Sequence, residues 1–145
     1  MLEFYPLNFD NVGQVALLEK QCFGKNAWSE NLLIEEIPQK NKHYFVCVEN
    51  NKVLGYGGFA QILDEGHIMN IAVDCNYRKQ GIATKILNNI IGLSSDLGIK
   101  SYTLEVREKN IPARNLYEQQ KFICAGIRKS YYSDGENACI YWRVL

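Results

Sequence analysis

The chain has 145 residues, and its 16 basic and 16 acidic side chains cancel to a formal net charge of zero. This length predicts a single domain over residues 1–145, which buries roughly two thirds of the surface of the unfolded chain. The balanced charge argues against direct nucleic-acid binding. No apolar run approaches the ~20 residues that cross a bilayer, so a membrane protein is not expected either.

The cysteines and histidines argue against a metal centre. The five cysteines form no C-x-x-C pair, an odd number cannot all form disulfides, and the two histidines lie far apart in the sequence. We therefore expect reduced thiols and no bound metal. The first five residues lack the basic and apolar regions of a signal peptide, so the expected location is the cytoplasm.

The first half of the chain predicts a strand, two helices and three further strands. The helix after the first strand is expected to be capped by Asp10 and to end before Gly24. Ser29 caps a second, short helix that runs to Ile37, because Pro38 cannot continue it. The strands of this half are predicted over residues 1–7, 44–48, 53–63 and 66–73.

The second half alternates helices and strands. Apolar residues spaced by three and four predict an amphipathic helix from Ile82 to Leu97, which Gly98 ends. Asn110 caps the next helix, with Pro112 in its first turn. The strands are predicted over residues 100–107, 122–132 and 138–145. The order β-α-α-β-β-β-α-β-α-β-β predicts an α/β (α+β) fold, with a mixed, mostly antiparallel sheet flanked by about four helices.

The junction before the helix at Ile82 reads Arg78-Lys79-Gln80-Gly81-Ile82-Ala83-Thr84. Gly81 permits a tight bend between a strand and a helix, although a glycine there can also serve geometry alone. The first turn of a helix has N–H groups without internal partners and partial positive charge, so such a loop binds phosphates. Arg78 and Lys79 add full positive charges. The junction predicts a phosphorylated cofactor, while the P-loop pattern and the G-x-G-x-x-G fingerprint are both absent.

The loop and the order of elements together resemble a known family. Arg78, Gly81 and Ala83 form the pattern R-x-x-G-x-A, a few residues after Ile71-Ala72-Val73-Asp74. This pattern resembles the acetyl-CoA-binding motif of the GNAT superfamily of N-acetyltransferases, which reads Q/R-x-x-G-x-G/A. The order of the predicted elements is also similar to the GNAT fold over nearly the whole chain. The resemblance implies an enzyme with acetyl-CoA as its cosubstrate.

Glu105 and Tyr117 are the candidates for chemistry. Glutamate is disfavoured in strands, yet Glu105 stands between Leu104 and Val106. It is either an edge carboxylate that faces solvent or pairs with Arg107, or a partly buried base that takes a proton from an amine. Tyr117, on an amphipathic helix, is either a core residue or the donor of a proton to a departing thiolate.

Several segments are similar to the ribosomal-protein-alanine N-acetyltransferases (RimI type) within that superfamily. They are residues 27–30, 69–74, 77–81, 104–107, 115–118 and 131–135. By this resemblance Glu105 is the proton acceptor and Tyr117 the proton donor. The cofactor-binding residues that it implies are Ile71, Ala72, Val73, Arg78, Lys79, Gln80, Gly81, Ile82, Ala83, Thr84 and Asn110. The sequence departs from the family at Cys75, where proline is common, and we expect Cys75 to be a bystander rather than a nucleophile.

The resemblance implies direct transfer of acetyl to the N-terminal α-amine of a protein, namely the alanine of a small-subunit ribosomal protein. An α-amine with a pKa near ~8 is easier to deprotonate than lysine near ~10.4, by about 3.4 kcal/mol. This difference favours an N-terminal substrate for a single glutamate base, and it permits lysine with a stronger base. Two alternatives stay open: acetylation of lysine or of a small-molecule amine, and a non-catalytic regulatory module that binds acetyl-CoA. The sequence does not assign an oligomeric state.

Two groups of residues are candidates for the acceptor side. Tyr131 and Tyr132 either shape the mouth of the acceptor site or pack within a strand. A set of acidic residues either attracts a basic peptide terminus or forms an ordinary solvated surface. This acidic set consists of Glu30, Glu35, Glu36, Asp64 and Glu65.

Overall fold

A computed structural model describes all 145 residues as one seven-stranded sheet with helices on both faces. The strands are β1 (Glu3–Pro6), β2 (Lys42–Glu49), β3 (Lys52–Ile62), β4 (Glu65–Val73), β5 (Ser101–Arg107), β6 (Ile123–Arg128) and β7 (Ala138–Val144). The helices are α1 (Val12–Phe23), α2 (Glu30–Glu36), α3 (Ile82–Ile91), α4 (Ser94–Leu97) and α5 (Ile111–Gln119). The strand order in the sheet is β1-β2-β3-β4-β5-β7-β6.

The one parallel pair in the sheet joins β4 to β5, and it is short. Only Glu65, Gly66 and His67 pair with β5, opposite residues 101–103, while every other neighbouring pair of strands is antiparallel. Directly after Ile68 the register between β3 and β4 shifts, because two residues of β4, Met69 and Asn70, lie opposite one residue of β3, Gly58. Beyond this bulge β4 and β5 no longer pair. The sheet is therefore open along a gap between residues 68–73 of β4 and 104–107 of β5.

Two apolar cores lie on opposite faces of the sheet. On one face, α3 packs Ile86 and Ile90 against a cluster that includes Tyr102 and Leu104 of β5. On the other face, α1 and α2 cover a cluster built around Val15, Leu33, Val46 and Tyr56. Because successive side chains of a strand point to opposite faces, Thr103, Glu105 and Arg107 lie on the face that α1 and α2 partly cover.

The structure confirms the predicted order of elements and the mixed sheet, and it corrects three details. The strand predicted over residues 122–132 ends at Arg128, because the chain turns there, so Tyr131 and Tyr132 do not pack within a strand. Asp10 does not cap α1: the helix begins at Val12, and the Asn8 side chain accepts the N–H groups of Asp10 and Asn11 instead. The helix predicted from Ile82 to Leu97 is interrupted at Gly92, which separates α3 from the single turn of α4. The heptad-like spacing of the apolar residues continues through this break, so their pattern could not reveal it.

Candidate active site

The gap between β4 and β5 exposes backbone groups of β4. The N–H of Asp74 donates to the carbonyl of Leu54 on β3 at 2.8 Å, so alternation directs the N–H and C=O groups of Ile71 and Val73 away from β3 and into the gap. Ala72 instead faces β3 with its backbone and buries its side chain beneath α1. Of the three β4 residues implied as cofactor ligands, Ile71 thus presents a free N–H and C=O, and Val73 a free N–H, to an extended ligand.

The loop before α3 has the geometry of an anion site. Gly81 has φ 79° and Lys79 has φ 63°, which confirms the tight bend expected at the glycine. None of the backbone N–H groups of residues 79–84 donates a hydrogen bond within the protein; the first helical bond runs from the N–H of Lys85 to the carbonyl of Gly81 at 3.0 Å. These free N–H groups stand at the positive end of a ten-residue helix, where a diphosphate is stabilised.

Arg78 is turned away from this loop. Its Nε donates to the carbonyl of Val73 at 3.2 Å, and its Nη2 contacts Cys22 Sγ at 3.5 Å. The thiol of Cys22 also donates to the carbonyl of Val73 at 3.4 Å. Arg78 therefore braces the end of β4 instead of adding its charge directly above the loop, and the lysine beside it remains exposed.

The entry to the loop is ordered although Cys75 replaces proline there. The Asp74 side chain accepts the N–H of Asn76 at 2.9 Å, and Gln21 of α1 accepts the N–H of Cys75 at 3.1 Å. Cys75 is exposed and makes no contact with a histidine that would activate it. All five cysteines are free thiols, as the sequence predicted.

Glu105 is half-buried and lies beside a histidine. Its side chain is 19% exposed, and Oε1 lies 3.6 Å from Nε2 of His67, whose side chain is 40% exposed. The expected alternative partner, Arg107, contacts other carboxylates. Glu105 and His67 line a cavity of about 330 Å³ on the α1 face of the sheet. Its other lining residues are Ile62, Glu65, Thr103, Arg128, Ile140 and Trp142.

Tyr117 buries its ring and leaves its hydroxyl free. The ring packs against Phe122 and Tyr141, with centroids 5.7 and 6.2 Å away. The hydroxyl makes no hydrogen bond within the protein. Because no fully buried side-chain N or O atom lacks a hydrogen-bond partner, this hydroxyl oxygen is accessible to solvent. Burial, and beyond it the neighbouring Tyr132, raise the pKa of Tyr117 above the usual range of a phenol. The group is thus protonated at neutral pH and able to donate.

Tyr132 packs against Arg107, which is two residues from Glu105 on β5. The Arg107 guanidinium carbon is 4.0 Å from the centroid of its ring. Burial raises the pKa of Tyr132 to about 12, and the charge of Glu105 contributes to the same shift. Sequence reasoning missed His67 altogether, because its proximity to Glu105 depends on the register between β4 and β5, which no local pattern encodes.

The remaining candidates are Asn110 and the acidic set. Asn110 caps α5, accepting the N–H of Ala113 at 3.2 Å, as predicted. Of the acidic residues, Glu36 is already bonded to Lys42 and Tyr44 at 3.1 and 2.7 Å, and Glu65 lines the cavity. Glu30, Glu35 and Asp64 are exposed.

Comparison with known proteins identifies the family. The family model described as "Acetyltransferase (GNAT) family" matches residues 13–122. The chain belongs to the acetyltransferase (GNAT) family. It is therefore an N-acetyltransferase, and the cosubstrate predicted from the sequence, acetyl-CoA, is the one that this family uses.

Similar proteins are named for the acetylation of protein termini. The chain is 33% identical over 115 residues to the [ribosomal protein bS18]-alanine N-acetyltransferase of Escherichia coli (strain K12), covering 78% of this chain and 77% of that protein. It is 31% identical to an N-alpha-acetyltransferase of Saccharolobus solfataricus, covering 94% and 89%. The crystal structure of the ribosomal-protein-S18-alanine N-acetyltransferase from Escherichia coli superposes with a TM-score of 0.90 at 29% identity, over 99% of this chain and 94% of that one.

Two structural findings concern metals and membranes. The described chain contains no group of three or more His, Cys, Asp or Glu side chains arranged to hold a metal ion. Its helices are all too short or too polar to cross a bilayer.

Proposed function

We propose that the protein transfers acetyl from acetyl-CoA directly to the N-terminal α-amine of a protein, with Glu105 as the base and Tyr117 as the acid. The observation that carries the proposal is the half-buried carboxylate of Glu105, which lines a cavity next to the point where β4 and β5 separate. The substrate we favour is the N-terminal alanine of a small-subunit ribosomal protein, encountered in the cytoplasm. The names of the relatives support this choice.

The free backbone groups support a position for acetyl-CoA. The diphosphate would accept hydrogen bonds from the N–H groups of residues 79–84, and the extended arm would bond Ile71 and the N–H of Val73 in the gap. The carbonyl of Val73 is already engaged by Arg78, so it is not counted among the ligands. When bound in this way, acetyl-CoA supplies an activated acyl group as a thioester.

The acceptor would approach from the opposite face, where Glu105 lies. A terminal ammonium must lose a proton before its nitrogen can attack the thioester carbon, and Glu105 would accept that proton. Overall, an ammonium and a thioester give an amide, a thiol and one released proton. His67, 3.6 Å from Glu105 and more exposed, offers that proton a route to solvent.

The leaving group is the thiolate of coenzyme A. As the new carbon–nitrogen bond forms and the carbon–sulfur bond breaks, the sulfur takes a proton. Tyr117 is suited to donate it because its hydroxyl is protonated, free of partners in the protein and open to accessible space. No acyl-enzyme intermediate is required.

A thiol-release assay with a panel of acceptors tests the proposal. The panel contains peptides with free alanine termini, the same peptides blocked at the terminus with one internal lysine, and small amines. We expect turnover with the free termini at least tenfold faster than with either other class. Preference for lysine or small amines would overturn the choice of acceptor. Coenzyme A binding without turnover of any acceptor would instead favour a regulatory module.

A further inference from the structure

The segment between β6 and β7, residues 129–137, is a compact turn and is called the β6–β7 segment below. The N–H of Tyr132 donates to the carbonyl of Glu136 at 3.1 Å, and the N–H of Gly135 donates to the carbonyl of Tyr132 at 2.9 Å. The Asp134 side chain accepts the N–H of Glu136 at 3.0 Å. Gly135 adopts φ 88°, a conformation that favours glycine. The segment is therefore held together by its own hydrogen bonds, and it carries Tyr132 and two carboxylates.

The guanidinium of Arg107 on β5 contacts the middle of this unit, whereas Glu108, directly after β5, bonds its last residue through the N–H of Glu108 and the carbonyl of Asn137 at 3.0 Å. Nη1 of Arg107 lies 2.8 Å from Asp134 Oδ2 and 2.7 Å from Glu136 Oε1. The same guanidinium stacks over the ring of Tyr132, 4.0 Å from its centroid. The other carboxylate oxygen of Glu136 accepts the backbone N–H of Lys109 at 3.2 Å. Arg107 thus contacts three residues of the β6–β7 segment at once.

Arg107 lies next to the proposed base, Glu105, on β5. Glu105 and Arg107 are two residues apart on one strand, so their side chains project from the same face as neighbours. Tyr132, held by Arg107, is close enough to Glu105 for the charge of the carboxylate to help raise the pKa of the phenol. Tyr132 also contributes to the raised pKa of Tyr117. Through its contacts with Arg107, the β6–β7 segment therefore forms a wall on the face of β5 that carries Glu105.

We propose that Arg107 is a positioning residue that fastens the β6–β7 segment beside Glu105 and thereby determines how tightly the acceptor is held. The proposal rests on the proposed function, since it concerns the acceptor of the same reaction. Without Arg107, Asp134 and Glu136 lose their cationic partner, and Tyr132 loses the plane on which it stacks. The wall beside Glu105 then becomes mobile, and binding of the acceptor must order it again.

Kinetics of Arg107→Met with a peptide acceptor test the proposal. We expect the acceptor KM to rise at least tenfold, kcat at saturation to stay within threefold, and the Kd of coenzyme A to stay within twofold. Arg107→Lys retains a cation for one carboxylate but not the planar stack, so its KM should fall between those of the wild type and Arg107→Met. The control is Arg143→Met on β7, whose guanidinium bonds the carbonyl of Gln120. This control should change the acceptor KM by less than twofold.

Hydrogen–deuterium exchange gives a second measurement that does not depend on activity. Amides of residues 129–137 should exchange faster in Arg107→Met than in the wild type, while those of β2 and β3 should not change. If Arg107→Met fails to fold, Asp134→Asn combined with Glu136→Gln removes both ion pairs with Arg107 intact, and the same changes in KM and exchange are expected.

The outcomes separate this inference from the proposed function. A wild-type enzyme that turns over no peptide terminus overturns the proposed function and the role of Arg107 with it. A wild type that turns over peptides, beside an Arg107→Met variant with an unchanged acceptor KM, overturns the role of Arg107 alone. Faster exchange with an unchanged KM also counts against it, because the segment would then be fastened without affecting the acceptor.

Discussion

Replacement of Glu105 by glutamine tests the proposed base with little disturbance of the fold. The side chain keeps its size, and the contact that it loses is a 3.6 Å pair with a histidine that is 40% exposed. A pair of this kind contributes less than about 1 kcal/mol to the free energy of unfolding, so the variant should fold. Loss of a general base lowers the rate by roughly 10²–10⁴-fold, and we expect kcat/KM to fall by at least a hundredfold at pH 7.

The pH dependence of the same variant is a sharper measurement. An α-amine with a pKa near ~8 is about one tenth unprotonated at pH 7. Without Glu105 only this free amine reacts, so kcat/KM should rise about tenfold between pH 6 and pH 7 and level off above pH 8. The wild type, which also uses the ammonium form, should show a flatter profile between pH 6 and pH 8.

Two further measurements accompany Glu105→Gln. Glu105→Asp keeps the carboxylate but withdraws it by one methylene, so an intermediate rate is expected. Calorimetry should give unchanged affinity for coenzyme A, because Glu105 lies on the face of the sheet opposite α3. A rate for Glu105→Gln within threefold of the wild type at pH 7 would refute the role of Glu105 as the base.

Three more outcomes follow from individual side chains. Tyr117→Phe should lower kcat roughly ten- to a hundredfold without changing the melting temperature, because the lost hydroxyl bonds nothing in the protein; unchanged turnover would make Tyr117 a packing residue. Gly81→Ala should lower the free energy of unfolding by about 1 kcal/mol, because φ is positive there, and should weaken coenzyme A binding. The control is Gly98→Ala, at φ 70°, where an added Cβ also meets no atom within 4 Å. This control should lower stability by a similar amount and leave coenzyme A binding intact. Burial lowers the pKa of His43, so the unfolded state binds a proton on this side chain more tightly than the folded state does. The folded state therefore loses stability as the pH falls below the unfolded pKa of histidine, near ~6.5. His43→Gln should reduce the change in melting temperature between pH 7.5 and pH 5.5, and an unaltered change would exclude this cause.

The sequence predicted those features of the site that depend on neighbouring residues along the chain. Gly81 between a strand and an apolar helix indicated the left-handed bend, and the alternation around Glu105 indicated that its side chain points away from buried Leu104. Ser29 and Asn110 were recognised as caps for the same reason, since each bonds an N–H three residues ahead. The sequence did not reveal the break at Gly92, because the apolar spacing continues through it.

By itself, then, the sequence determined the order of the elements, the bend before α3, the two candidate catalytic side chains and the resemblance to the acetyltransferase family. Only the tertiary structure decided what stands next to them: His67 beside Glu105, Arg107 beneath Tyr132, and Arg78 turned back onto the end of β4. The physical reason is that β4 and β5 meet through three residue pairs contributed by distant parts of the chain, such as Glu65 and Ser101. Where strands pair, and where they part, depends on the packing of the whole sheet rather than on any local pattern.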